Sequence, residues 1–133
     1  MSTAMSWTRI PLCLFVAMAV TAASLADTGC DEKRGAMVFA SKCALCHSMG
    51  KDVADAAGPN LFGITGRAPA SRTGFAYSSS MRQLREPWSR TSLDRFLSDP
   101  QVMVPGTYMA FTGVKRGADR QSLICYLEVQ ADR

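Results

Sequence analysis

Cys43-Ala44-Leu45-Cys46-His47 is the stretch on which the reading of this sequence turns. At this spacing two thiols can add to the two vinyl groups of one haem, while the imidazole that follows faces the iron. Other uses of a close cysteine pair fit less well. A thioredoxin-like redox pair wants a βαβ context, and no alternating strand pattern surrounds these residues. A zinc knuckle would have to recruit Cys30 and Cys125 at irregular spacing. A structural disulfide between Cys43 and Cys46 would leave His47 without a role. The motif therefore predicts one covalently bound haem c, with thioethers at Cys43 and Cys46 and with His47 on the iron.

His47 is the single histidine of the 133 residues, which excludes a second histidine ligand from this chain. A methionine, another side chain, water or nothing must stand opposite. Beyond the N-terminal segment the methionines are Met37, Met49, Met81, Met103 and Met109. An unplaced methionine is usually a core filler. Met109 differs in its setting, an aperiodic loop behind Pro105-Gly106-Thr107, a rigid turn able to carry a side chain back over a flat cofactor. Met103, just before Pro105, is the rival.

Around these residues the pattern is helical. Asp31 can cap a helix from Glu32 to about Ala44, with Gly35, Val38 and Phe39 on one face. Ser48 to Ser71 has no period and reads as loop, of a length that is usually functional. A short turn from Ser78 to Leu84 follows. A helix then opens at Thr91, carries Leu93, Phe96 and Leu97, and stops at Asp99-Pro100. Gln101 to Val114 reads as loop, and Gly117 to Gln130 as the last helix. The predicted fold is all-α, three to four helices with long loops wrapped around one haem.

The N-terminus carries a different signal. Arg9 is the only charge before Asp27, and the apolar run from Leu12 ends in Ser24-Leu25-Ala26. That reads as a secretory signal peptide over residues 1–26, cleaved after Ala26, because the run is too short for a bilayer span of about 20 residues. Residues 27–133 then form a single domain, exported and periplasmic. Without Arg9, 14 of the 15 basic residues remain against 11 acidic ones, a mild excess with no clustered basic face, which excludes nucleic acid as a partner.

The chain resembles the class I c-type cytochromes of the mitochondrial and bacterial c2 kind, over nearly all of Asp31 to Leu127. The resemblance rests on Gly35 and Phe39, Cys43 to His47, Gly58-Pro59-Asn60-Leu61, Gly63, Gly66-Arg67, and Gly74-Phe75 with Tyr77. It continues through Trp88, Leu93 to Leu97, Asp99-Pro100, Pro105-Gly106-Thr107, Met109, Phe111, Gly113, Leu123 and Tyr126-Leu127. It implies His47 and Met109 as the axial pair, with the Pro59 carbonyl accepting the other ring N–H of His47. It implies Arg67, Tyr77 and Trp88 as propionate-binding residues of the haem environment. It also implies that Gly35 lets the first and last helices cross against Leu123 and Tyr126. Those crossing ends would bring Cys30 and Cys125 together as a disulfide.

The chain departs from the family's pattern in three respects. Met81 stands where Asn is common, and Phe96 where Tyr is common. Gln101, Val102 and Tyr108 stand where lysines usually surround the haem edge. The function implied is a soluble, monomeric electron carrier, not an enzyme, serving a respiratory or photosynthetic chain. Its partners would be transiently bound membrane redox complexes such as an oxidase, a reaction centre, a dehydrogenase or a cytochrome complex. The alternative is a haem enzyme or gas sensor with an open or labile sixth site.

Overall fold

Asp31 accepts the Arg34 N–H on its side chain at 2.9 Å and so caps α1 (Glu32–Lys42). This is seen in a computed structural model that describes Met1 and residues 30–133; the expected signal segment and its cleavage point lie outside the described residues. Glu32 in the first turn and Lys42 in the last both suit the helix dipole. Four further helical segments follow: α2 (Ser79–Gln83), α3 (Arg90–Ser98), α4 (Pro100–Met103) and α5 (Gly117–Ala131). Among the described residues there is no strand, so the fold is all-α.

The helices expected from the sequence are present, with two differences. α3 opens at Arg90, because Ser89 and Ser92 exchange side-chain and backbone hydrogen bonds in a capping box. The stretch after Asp99, expected to be loop, contains the single turn α4. Asp99 caps that turn by accepting the Val102 N–H, and Pro100 enters it with its φ already set. Asp99-Pro100 therefore ends one helix and begins another.

α1 and α5 cross closely, and Gly35 is the reason they can. A Cβ there would lie 2.2 Å from the Ser122 carbonyl oxygen and 2.5 Å from Cβ of Tyr126. The contact point is thus Ser122 and Tyr126 rather than Leu123 and Tyr126; Leu123 lies beside it, 1% exposed in the core. Phe39 packs on Tyr126 with ring centroids 5.9 Å apart. Arg34 pairs with Asp119 at 2.6 Å and Arg133 with Glu32 at 2.8 Å along the same seam. Cys30 and Cys125 close it covalently as a disulfide, with Cα atoms 5.6 Å apart. Val38, Phe39, Leu93, Phe96, Leu97, Ile124 and Leu127 complete the core, and the loops between the helices are left to build the site.

Candidate functional site

The last residue capping α1 is the first cysteine of the motif. The Cys43 N–H donates to the Phe39 carbonyl at 2.8 Å, and the chain then turns so that Cys46 and His47 both donate to the Cys43 carbonyl, at 3.0 and 2.9 Å. This turn separates the two thiols. Cys43 is buried, Cys46 is exposed, and neither is in a disulfide. Burial pushes the Cys43 thiol up to about 11, against the opposing pull of Lys42.

His47 is held on two sides. Its Nδ1 donates to the Pro59 carbonyl at 2.7 Å. Burial holds its pKa below the ordinary histidine value, and the hydrogen bond to Pro59 opposes this only in part. The lowered pKa favours the neutral ring, and since the carbonyl can only accept, Nδ1 carries the proton and Nε2 is left unprotonated. Gly58 closes on the ring, because a Cβ there would lie 2.4 Å from Cε1, and its N–H donates to the Cys46 carbonyl at 2.6 Å. The expected pairing of His47 with Pro59 is thus present, together with a clamp that Gly58 alone can form.

Asn60 fixes that loop from within. It is 1% exposed; its amide donates to the carbonyls of Gly50 and Val53 at 2.8 and 2.7 Å, and its side-chain oxygen accepts the Phe62 N–H at 2.7 Å. Its own N–H donates to Asp55, which also accepts from Arg72. Neither Asp55 nor Arg72 stands out in the sequence, since their juxtaposition arises only when the loop folds back.

Arg67, Tyr77 and Trp88 are brought to one region. The guanidinium of Arg67 donates to the Phe62 and Asn60 carbonyls at 2.9 and 2.8 Å, so it also clasps the loop. Burial lowers the Arg67 pKa, and the neighbouring Tyr77 pushes it back up. Burial raises the pKa of Tyr77 in turn. The Trp88 N–H donates to the Arg67 carbonyl at 3.0 Å, and its buried ring packs on Phe96 with centroids 5.1 Å apart. One residue from Gly66-Arg67, the Thr65 hydroxyl is buried without a protein partner.

Met109 stands on the loop after α4, half-buried against the same hydrophobic core, and Met103, the last residue of α4, is half-buried against it too. Gln101 steadies this loop by donating to the carbonyls of Thr107 and Met109 at 3.0 and 3.4 Å. Met81 and Phe96, two of the departures from the family's pattern, are both buried in the core.

These residues suit a covalent haem: two unpaired thiols, an adjacent imidazole held by the Pro59 carbonyl, a thioether on a separate loop packed against the same core, and an unpaired buried hydroxyl two residues before an arginine. No protein-family profile matches the chain. Curated relatives do. The chain is 39% identical to the cytochrome c of Stellaria longipes over 98 residues, which is 74% of this chain and 91% of the relative. It is 40% identical to that of Gibberella zeae over 100 residues, 75% and 94% of the two chains. With that of Euglena viridis it is 39% identical over 102 residues, 77% and 99% of the two. These relatives overturn the expected periplasmic location. They come from plants, fungi and Euglena, eukaryotes that have no periplasm, and are of the mitochondrial kind.

Proposed function

The chain belongs to the class I c-type cytochromes, electron-transfer proteins with one covalently bound haem c, and on that premise we propose that it carries single electrons through a His/Met-ligated iron and catalyses nothing itself. Cys43 and Cys46 would hold the haem as thioethers. His47 would be one axial ligand and Met109 the other. The haem supplies a one-electron couple whose potential is raised by a thioether ligand. The chain supplies its setting. Pro59 holds the His47 proton on Nδ1, Gly58 fixes the plane of the ring, and the apolar core excludes water.

The observation that carries the proposal is the 2.7 Å hydrogen bond from His47 Nδ1 to Pro59 in a chain with two unpaired thiols, because it keeps the proton on Nδ1 and leaves Nε2 available to an iron. Arg67, Tyr77, Trp88 and the Thr65 hydroxyl would meet the propionates, supported by their shared region and by the unpaired state of Thr65. The partners would be membrane redox complexes, bound transiently by a monomer. Residues 27–133 would be the whole functional domain, with residues 1–26 as a removable leader.

Replacing the methionines tests the ligand pair. Met109→Ala should lose the weak far-red band that marks thioether bonding to ferric haem, and should bind carbon monoxide readily. Met103→Ala should do neither. The reverse result would move the ligand to Met103, and carbon monoxide binding by the wild-type protein would favour an open sixth site.

A further inference from the structure

The Pro59–Asn60 peptide is held at both ends. Its carbonyl oxygen, on Pro59, accepts the His47 Nδ1–H at 2.7 Å, and its N–H, on Asn60, donates to Asp55 Oδ1, also at 2.7 Å. Both distances lie at the short end of the range for N–H···O bonds. One planar, resonance-coupled unit therefore joins an imidazole to a carboxylate.

That carboxylate is charged at neutral pH. The Asn60 N–H and the Arg72 guanidinium, 2.9 Å from the same Oδ1, hold its pKa below the usual carboxylate range against the opposing effect of burial. The peptide is fixed in place as well. The Asn60 side chain donates to the carbonyls of Gly50 and Val53, and Arg67 donates to the carbonyls of Asn60 and Phe62, which keeps the unit facing both partners.

A peptide whose N–H donates to an anion is more strongly polarised. Its carbonyl oxygen becomes a better acceptor, because hydrogen bonds in a chain strengthen one another. A stronger acceptor on the far nitrogen of a ligating imidazole makes the ring a more basic ligand. We propose that Asp55, the Pro59–Asn60 peptide and His47 form a relay, in which the carboxylate tightens the hold of the Pro59 carbonyl on Nδ1–H, enriches the imidazole in electron density and favours the ferric state. With His47 as an axial ligand, the reading on which this rests, Asp55 is a positioning residue that acts on the ring through the peptide. Arg72 opposes it, drawing the carboxylate's charge away from the Asn60 N–H.

Two variants of the holoprotein test the relay. Asp55→Asn keeps the size and an acceptor oxygen but removes the charge. Arg72→Gln keeps the carboxylate but removes its counter-charge. For each, the His47 Nδ1–H proton resonance is read in the low-spin ferrous protein, where it moves downfield as the hydrogen bond strengthens, together with the midpoint potential. Asp55→Asn should move the resonance upfield and raise the potential. The ferric–ferrous equilibrium should shift toward ferrous by about threefold, since a charge-assisted hydrogen bond is roughly twice as strong as a neutral one and only part of the difference reaches the iron. Arg72→Gln should move both readouts the other way. Each variant breaks the same ion pair, so a merely structural role for that pair would move the resonance upfield in both, which overturns the relay. A resonance that neither variant moves also overturns it, even with an altered potential, since the charge would then act through space. Should Asp55→Asn yield no holoprotein, the sign of the shift in Arg72→Gln decides. A wild-type protein without the large ring-current shifts that a haem imposes on an axial imidazole would overturn the relay together with the reading of His47 as a ligand.

Discussion

Gly58 lies against the imidazole of His47, so closely that a methyl group at its Cα would sit 2.4 Å from Cε1 and 2.7 Å from Nδ1. The ring can give way only by leaving the Pro59 carbonyl. Gly58→Ala should therefore lower the yield of holoprotein and shift the haem absorption, while the far-ultraviolet helix signal stays near wild type. Losing the partner that orients a ligating histidine typically costs about 10–100-fold in affinity or activity. An unchanged spectrum and yield would show that the ring is not clamped.

Asp55 gives the fold an acid-sensitive point. The Asn60 N–H at 2.7 Å is the main cause that holds its carboxyl below the usual range; burial opposes it, and the Arg72 guanidinium at 2.9 Å adds to it. A carboxyl with a lowered folded-state pKa contributes stability above its unfolded value, near 3.9, and loses it as pH falls through the folded value. Asp55→Asn should be less stable than wild type at neutral pH, and the difference should vanish in strong acid. Urea unfolding over a pH series will show this as a flatter acid limb, and a limb parallel to wild type would count against it.

The disulfide closes a loop with a sequence separation of 95. In the chain-entropy treatment a link of that span contributes at most about 4–5 kcal/mol by restricting the unfolded chain. Cys30→Ser/Cys125→Ser should lower the guanidinium midpoint accordingly and leave the haem spectrum unaltered. Titration of denatured, unreduced holoprotein lacking residues 1–26, and with them Cys13, should find no reactive thiol. Two reactive thiols would show that the link does not form.

Alkaline behaviour follows from where lysine is missing. No lysine lies between Ser98 and Gly113, and Lys115, the nearest, is tied to the Ser98 carbonyl at 3.0 Å and to Asp99 at 3.3 Å. With Met109 as the proposed ligand, a lysine amine that displaces its sulfur must break that anchorage or unfold the loop. The ferric far-red band should persist to higher pH than in relatives with lysine in this loop, then give way to hydroxide or unfolding. Magnetic resonance of the alkaline form checks this, and a low-spin His/Lys signal in mild alkali would contradict it.

Much of this was legible in the residues themselves. Asp31 announces α1, Leu93, Phe96 and Leu97 fall on the buried face of α3, and the cysteine motif marks the site without any fold. Local chemistry also underlies the one helical turn that was missed. In sequence Asp99-Pro100 is a helix stop, and the same pair is also a cap and a first residue, which only the following backbone distinguishes. The clamp of Gly58 on His47, the Asp55–Arg72 pair and the approach of Gly35 to the Ser122 carbonyl were not legible. Each joins residues through the path of a loop or the crossing of two helices, and neither has a periodic trace.

The covalent closure at Cys30 and Cys125 also determines where mechanical tension can go. A pull on the chain entering at Cys30 and leaving after Cys125 travels through one sulfur–sulfur bond and bypasses everything between. The segments bearing Cys43, His47 and Met109 lie wholly inside that closed ring of chain. Tethering this domain by its ends, to a surface or to another protein, would leave the proposed iron ligands unloaded.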